Sequence, residues 1–146
     1  MIINLDTLLS YGGALKELAK GELICEEGEA ALFYFQLVKG RVKWMHIDED
    51  GREFIHDMVE AGESFGEGPL FDNSSYDATA VAEEPSTLVR LKLPFFQQLL
   101  EDHPDIHFAF TRLLSERLRF KHLLVKMLAN CNPEYRLITL LSYLIQ

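Results

Sequence analysis

One stretch of the chain, residues 64–80, combines residue types that can bind a small molecule. It places Gly66 and Gly68 on either side of Glu67, and the residues after Gly68 are typical of one helical turn and then a strand. Glycine lets the backbone adopt a positive φ and approach a ligand closely, and the N–H groups at a helix start attract anions. The Glu67 carboxylate only accepts hydrogen bonds, which suits hydroxyl groups better than a bare phosphate. The pattern predicts a sugar-phosphate pocket, with a glycine-rich loop that binds no ligand as the alternative.

Residue types that catalyse reactions or bind metals lack the necessary spacing elsewhere. The histidines are scattered, at His46, His56, His103, His107 and His122. A metal-binding cupin needs an H-x-H pair with further Glu and His ligands, and no H-x-H pair occurs. Neither cysteine has an evident histidine partner for nucleophilic catalysis, and we expect no serine to lie in a nucleophile elbow. We therefore predict no catalytic residue and no metal site, and we predict that the protein is not an enzyme.

The net charge of −9 makes these 146 residues a poor DNA-binding surface by themselves, because an acidic body repels the phosphate backbone. No apolar run reaches the ~18–20 residues of a membrane span, and the N-terminus lacks a basic segment, so we expect a cytoplasmic protein without membrane contact. The two cysteines, Cys25 and Cys131, are far apart and have no CxxC or CxxH partner. We expect both to be reduced and structural.

The pattern of apolar residues predicts a helical start followed by a β-rich body. Residues 4–20 carry leucines at mostly helical spacing around Gly12 and Gly13, which we interpret as a short helix, a glycine break and a second helical turn. Short apolar runs then alternate with turn residues such as Asp50-Gly51. The predicted strands are Leu23–Cys25, Leu32–Val38, Val42–Ile47, Glu53–Met58, Ala78–Val81 and Thr87–Leu93. Evenly spaced short strands predict an antiparallel sandwich or jelly roll.

The period returns to that of a helix after this body. Pro94 suits a first helical position, and the stretch from Asp105 to Ala129 contains neither Gly nor Pro. A heptad pattern runs along it, at Ile106, Phe110, Leu113, Arg117, Phe120, Leu124 and Met127. Such a seam is typical of a helix that pairs with a partner helix, and Arg117 suits a monomer core poorly. A second apolar line, at Leu114, Leu118 and Val125, would face the body. We predict a homodimer through this helix. The alternative is one long helix whose two apolar lines both pack on its own sheet.

Several short motifs together resemble the cyclic-nucleotide-binding domain. They are Lys20-Gly21-Glu22-Leu23-Ile24, Glu27-Gly28-Glu29, Phe33-Tyr34-Phe35, Val38-Lys39-Gly40-Arg41-Val42, Asp50-Gly51-Arg52-Glu53 and Ala61-Gly62-Glu63-Ser64-Phe65-Gly66-Glu67. With the dimer helix and Tyr135-Arg136-Leu137, the series is similar to the cyclic-AMP receptor/FNR (Crp/Fnr) family of transcription regulators. This resemblance implies an α+β fold, namely a double-stranded β-helix jelly roll flanked by an N-terminal helix and a long C-terminal dimerisation helix.

The resemblance also implies a division of the chain into three parts. Residues 1–103 would form the cyclic-nucleotide-binding-like sensor domain, and residues 104–131 the dimerisation helix. Residues 132–146 would begin a winged helix-turn-helix domain, with a helix from Pro133 to Gln146 that the sequence leaves unfinished. DNA would be bound by that C-terminal domain, most of which we expect to be missing from this sequence.

Residues 64–80 are identified by the resemblance as the family's phosphate-binding cassette. The ligand contacts that it implies are Phe65, Gly66, Glu67, Gly68, Leu70, Tyr76, Asp77, Lys121 and His122. The family carries an arginine at the position of Tyr76 and a small residue at that of Asp77, whereas this chain has a neutral phenol and a carboxylate. Arginine clamps a phosphate with two charge-assisted hydrogen bonds, so its loss makes a cyclic phosphate a poor guest.

The missing arginine predicts a regulator that does not respond to cyclic AMP, and the cofactor is unknown. Two interpretations of the cassette remain: it binds a different, unidentified small-molecule effector, or it is vestigial and serves packing. At the level of the whole chain, the main alternative to a DNA-binding regulator is a stand-alone cyclic-nucleotide-binding-like adaptor or regulatory module without DNA binding. A cupin-type metalloenzyme is a third hypothesis, which the missing ligand spacing disfavours.

Overall fold

The computed structural model describes residues 2–131 as a jelly roll followed by a long helix. In chain order the elements are α1 (Leu5–Ser10), β1 (Ala14–Leu18), β2 (Leu23–Cys25), β3 (Phe33–Lys39), β4 (Arg41–Ile47), β5 (Glu53–Glu60), β6 (Ser64–Phe65), α2 (Gly68–Asp72), β7 (Thr79–Ala82), β8 (Ser86–Lys92), α3 (Leu93–Asp102) and α4 (Pro104–Cys131). The strands form two antiparallel four-stranded sheets, ordered β1-β8-β3-β6 and β2-β7-β4-β5. The predicted α+β jelly-roll fold is confirmed, and the helix predicted from Pro133 lies outside the described residues.

The hairpin between β4 and β5 forms where Asp50-Gly51 predicts it. Oδ1 of Asp48 accepts hydrogen bonds from the backbone N–H groups of Asp50 (2.9 Å) and Arg52 (2.8 Å). Gly51 has φ +81° and donates to the Asp48 carbonyl at 3.0 Å. An aspartate that folds back on the following N–H groups and a glycine with positive φ are standard turn chemistry, so this hairpin is encoded locally.

The helical turn predicted after Gly13 is wrong, because residues 14–18 form the edge strand β1. It pairs antiparallel with β8 in the register Ala14↔Arg90 to Leu18↔Ser86. Gly12 has φ +101°, and a Cβ on Gly13 would lie 2.7 Å from the Leu8 carbonyl oxygen, so the glycine pair ends α1 and turns the chain sharply. The hydrogen bonds that β8 offers then outweigh the helical spacing of the leucines. The two-residue strand β6 also lies outside the predicted set.

The sheet that contains β3 is covered on one face by the N-terminal segment and α3. Tyr34 stacks on Phe96 of α3 with ring centroids 4.7 Å apart. Its hydroxyl donates to Oε1 of Gln36 at 2.7 Å, and Nε2 of Gln36 donates to the Ile3 carbonyl at 2.8 Å. Gln36 is fully buried, so these bonds remove the cost of placing its amide in the core.

The first compact unit of the chain ends at His107, and a second begins at Phe108 within α4. Helix α4 runs from Pro104 to Cys131. Within the second unit the Arg112 guanidinium lies 5.4 Å from the centroid of the Phe108 ring. Among the described residues, no helix combines the length and apolar character that crossing a bilayer requires.

Candidate functional site

The backbone of residues 64–80 adopts the predicted order of turn, short helix and strand. Strand β6 ends at Phe65, and Gly66 adopts φ +68° before the five-residue helix α2. Asn73 ends α2 in the left-handed region with φ +57° and donates its N–H to the Pro69 carbonyl. Asparagine tolerates this conformation better than most residues. The chain then passes through Tyr76 into β7.

The side chain of Tyr76 points into the interior of the jelly roll and is only 4% exposed. Its hydroxyl donates to the carbonyl oxygen of Phe33 on β3 at 2.9 Å. Its ring contacts Phe35 of one sheet and Trp44 of the other, at centroid distances of 6.3 and 6.4 Å, and the contact with Trp44 is edge-to-face. The tyrosine therefore bridges the two sheets by ring contacts and has its one polar atom satisfied.

Phe35, Trp44, Phe65 and Tyr76 form what we call the aromatic cluster. Phe35 stacks on Phe65 with a centroid distance of 5.4 Å and an interplanar angle of 5°, and Trp44 lies 6.1 Å from Phe65. Offset and edge-to-face aromatic contacts of this kind add to the stabilisation that burial provides. The part of the interior next to the cassette is thus occupied by rings.

Gly66 lies directly against this cluster. A Cβ at this position would be 3.1 Å from Cε1 of Tyr76 and 3.4 Å from the Trp44 ring. Its φ of +68° independently favours glycine. Two separate constraints, the backbone conformation and the proximity of the Tyr76 ring, therefore favour glycine here.

A second turn, Glu26–Glu29, holds the backbone on either side of Tyr76. Gly28 donates its N–H to the Tyr76 carbonyl, and Tyr76 donates its N–H to the Glu29 carbonyl, both at 2.9 Å. The N–H of Glu27 donates to Oγ1 of Thr79 at 3.0 Å. This turn is absent from the predicted site, although the Glu27-Gly28-Glu29 motif contributes to the family resemblance.

The phenol of Tyr76 and the nearby thiol of Cys25 are both neutral at ordinary pH. Burial, as the largest cause, raises the pKa of the Tyr76 phenol far above its usual value, and the neighbouring Cys25 raises it further. Burial also raises the pKa of the Cys25 thiol to about 12. Neither group supplies a positive charge, and a neutral phenol cannot replace the always-charged fork of an arginine.

The remaining predicted cassette residues divide into buried and exposed positions. Phe65, Glu67 and Leu70 are buried, at 3%, 1% and 4% exposure, whereas Gly68 and Asp77 are exposed. The structure thus brings Phe65, Gly66 and Tyr76 into contact around the aromatic cluster. Trp44 also belongs to this cluster, although it is not among the predicted site residues. Its position at a bulge in β4 could not be inferred from the strand pattern. Lys121 and His122 are exposed on α4, and their part in ligand binding stays a prediction.

Ser64 is the central residue of Gly62-Glu63-Ser64-Phe65-Gly66, which matches the letters of a G-x-S-x-G motif. The prediction that no serine lies in a nucleophile elbow therefore needs the structure to decide it. A nucleophile elbow places its serine on an exposed strand-to-helix turn. Ser64 instead lies within β6, paired with Gln36, and is 7% exposed. The match is therefore one of letters only and does not present a nucleophile.

The predicted heptad residues differ in their exposure on the single chain. Phe120, Leu124 and Met127 are 60%, 41% and 54% exposed, and Arg117 is also exposed. Ile106 and Leu113 are half-buried, and Phe110 is fully buried. The apolar residues that a partner helix could cover therefore concentrate in the C-terminal half of the seam. Across the described residues, no cluster of His, Cys, Asp or Glu is arranged to hold a metal ion.

Known proteins are similar to this chain in both sequence and fold. The cyclic nucleotide-binding domain family matches residues 15–103. The cAMP-activated global transcriptional regulator CRP of Pasteurella multocida (strain Pm70) is 32% identical over 117 residues, which are 80% of this chain and 56% of that protein. The matched region spans little more than half the length of the CRP relatives.

Two solved structures of regulators superpose on most of the chain. The catabolite activator protein of Thermus thermophilus gives a TM-score of 0.77 at 27% identity, covering 85% of this chain and 58% of that one. The sensor domain of the transcriptional regulator DNR from Pseudomonas aeruginosa gives 0.69 at 31% identity, covering 80% and 78%. The family match extends over more than half of the residues, and the jelly roll and long helix agree with it. The chain therefore belongs to the cyclic nucleotide-binding domain family, and its domain is of the Crp/Fnr type.

Proposed function

We propose that this chain is the sensing and dimerisation part of a Crp/Fnr-type DNA-binding transcription regulator that does not respond to cyclic AMP. Residues 1–103 form the sensor, residues 104–131 the dimerisation helix, and residues 132–146 the start of a winged helix-turn-helix domain that binds DNA. The protein works in the cytoplasm as a homodimer, and any effector is a small molecule other than cyclic AMP. The observation that carries the proposal is the buried Tyr76 at the arginine position of the cassette.

The charge and packing around Tyr76 argue against a cyclic phosphate as ligand. A phosphate taken out of water needs charged or multiple hydrogen-bond donors to offset its desolvation. The hydroxyl of Tyr76 is already engaged by the Phe33 carbonyl at 2.9 Å. Its ring fills the space beside Gly66, and the adjacent Asp77 adds a carboxylate at the surface. A cyclic nucleotide would therefore meet a neutral ring and a negative charge where the family resemblance implies an arginine.

The exposed apolar side chains of α4 support the homodimer. Phe120, Leu124 and Met127 recur at heptad positions, and all are at least two-fifths exposed. Burial of apolar side chains that repeat along one face of a helix stabilises the pairing with a second helix. A two-fold pair of such helices also suits a regulator that reads a palindromic operator.

Calorimetric titration of the purified chain with cyclic AMP tests the proposal. We expect no binding heat at micromolar concentrations, and a dissociation constant in the micromolar range or tighter would contradict the proposal. The double variant Tyr76→Arg/Asp77→Ser restores a cationic donor and removes the carboxylate. We expect it to gain measurable affinity, provided that its circular dichroism spectrum matches that of the parent.

A stand-alone adaptor or regulatory module without DNA binding is the second candidate. It is favoured by the fact that the matched family domain, residues 15–103, contains only the sensor. The mass of the natural gene product separates the two candidates. A regulator requires a helix-turn-helix domain after residue 146, whereas an adaptor requires none.

A further inference from the structure

Tyr76 connects four separate segments of the first compact unit. Its hydroxyl donates to the Phe33 carbonyl of β3, and its ring contacts Trp44 of β4. The same ring lies against Gly66, where an added Cβ would approach it to 3.1 Å. Its backbone N–H and C=O both bond to the turn Glu26–Glu29. Tyr76 is only 4% exposed, so these contacts fix its side chain in the interior and connect the four segments to one another.

The contacts of Tyr76 lie at both ends of the cassette. Gly66 precedes α2, and Tyr76 comes ten positions after Gly66, so the ring contact closes a loop that contains all of α2 (Gly68–Asp72). The backbone bonds at Tyr76 and the bond from Glu27 to Thr79 continue this closure into β7. Opening the cassette would require the phenol to leave the interior and its hydroxyl to lose the Phe33 carbonyl.

We propose that Tyr76 is a built-in occupant of the cassette, a side chain that keeps residues 66–79 closed whether or not an effector is present. The inference rests on the proposed function in one respect, because it takes residues 64–80 as the sensing segment. Closure here depends on contacts within the chain, so no ligand is needed to order the segment. An effector that acts on this domain has to displace Tyr76 from the aromatic cluster or bind outside the cassette.

The experiment compares amide hydrogen exchange in the native protein and in three variants. Tyr76→Phe removes only the hydroxyl, and Tyr76→Ala removes the ring as well. Tyr34→Phe is the matched control, because Tyr34 is also a buried tyrosine with a bonded hydroxyl, directed at Gln36. The reporting amides are those of Glu27, Gly28 and Tyr76, whose partners are in or against the cassette. The ladder between β3 and β8 serves as the internal reference for global unfolding.

We expect the native protein to protect the three reporting amides strongly from exchange without any nucleotide. Tyr76→Phe should accelerate their exchange by about fivefold, as one lost hydrogen bond allows, and Tyr76→Ala by about a hundredfold or more. Exchange in the β3–β8 ladder should accelerate less in both variants. Tyr34→Phe should not accelerate exchange of the reporting amides more than exchange in the ladder. Selective acceleration of this kind supports the proposal.

Three results would overturn the inference. They are fast exchange of the reporting amides in the native protein, unchanged protection of these amides in Tyr76→Ala, or an equal rise in the exchange rates of the reporting amides and the β3–β8 ladder. The last would mean that Tyr76 is an ordinary core residue. Repeating the native measurement with millimolar cyclic AMP separates this inference from the proposed function. If cyclic AMP binds to a cassette that is already protected, the proposed function fails and the inference stands. If cyclic AMP does not bind and the reporting amides are unprotected, the proposed function stands and the inference fails.

Discussion

At the scale of single residues, Gly66 and Tyr76 share one small volume beside Trp44. The tyrosine ring packs closely against position 66, where an added Cβ would lie 3.1 Å from Cε1 of the ring, and its hydroxyl is satisfied by a main-chain carbonyl. A glycine in such a loop is usually explained by close approach of a ligand, and here the close neighbour is a side chain of the same chain. The side chains that meet at this site therefore make aromatic contacts with one another.

Replacing Gly66 by alanine tests this packing directly. We expect Gly66→Ala to lower the free energy of unfolding by about 2 kcal/mol or more, because the new methyl meets the Tyr76 ring and φ is positive. Gly51→Ala is the control, since Gly51 has φ +81° but no atom within 4 Å of an added Cβ. It should cost only the conformational strain, about 1 kcal/mol. Urea denaturation measures both losses, and equal losses would mean that the Tyr76 contact is unimportant.

The buried thiol of Cys25 predicts a loss of stability at alkaline pH. Its pKa is raised from about 9 to about 12 by burial, so the native state keeps a proton that the unfolded chain releases. The contribution of this group is fully present below pH 9 and is lost as the pH rises towards 12. We expect a slope of at most about 1.4 kcal/mol per pH unit. Denaturation at a series of pH values should show this slope flatten in Cys25→Ala, and identical slopes would count against the buried, protonated thiol.

At the scale of elements, some parts of the fold follow from local chemistry and others follow from pairing between distant strands. The β4–β5 hairpin is encoded by Asp48 and Gly51, which act within a few residues of each other. Strand β1 could not be predicted this way, because its four exposed residues show no alternation and only the distant β8 makes them a strand. Turns and strands with strong local signals are therefore predictable, whereas edge strands that depend on a partner are not.

The candidate site shows the same division. The glycine pattern is visible in the sequence, and the family resemblance implies an arginine where Tyr76 stands. The location of the cassette can therefore be predicted, and weak binding of a cyclic phosphate stays a prediction. The inward direction of Tyr76 cannot, since it depends on Phe33 and Trp44 from two other strands. The turn that holds the Tyr76 backbone lies almost fifty residues earlier in the chain and carries no local signal of its role.

Helix α4 supports a prediction at this scale too. Phe120 is 60% exposed at a seam position, so Phe120→Glu should place a charge in the proposed helix pair and give monomers in size-exclusion chromatography. Ser115→Glu is the matched control, because Ser115 is exposed on α4 but lies outside the heptad positions. It should leave the dimer unchanged. A dimer that persists in Phe120→Glu would show that the seam is not the interface.

At the scale of the whole molecule, a sensor unit and a helix with an exposed apolar seam occur in one chain of net charge −9. The acidic sensor is unsuited to contact DNA itself. This agrees with the proposal that a separate C-terminal domain binds DNA. The proposed dimer would bring two sensors together, and the closed cassette would make their state independent of cyclic AMP.

Native mass spectrometry of the purified chain, with and without millimolar cyclic AMP, tests the proposed dimeric, cyclic-AMP-independent sensor most directly, because one spectrum reports both the number of chains and any retained small molecule. We predict the mass of two chains, with no addition of cyclic AMP in either sample. A monomer, or a dimer that gains one cyclic AMP per chain, would contradict the proposed function.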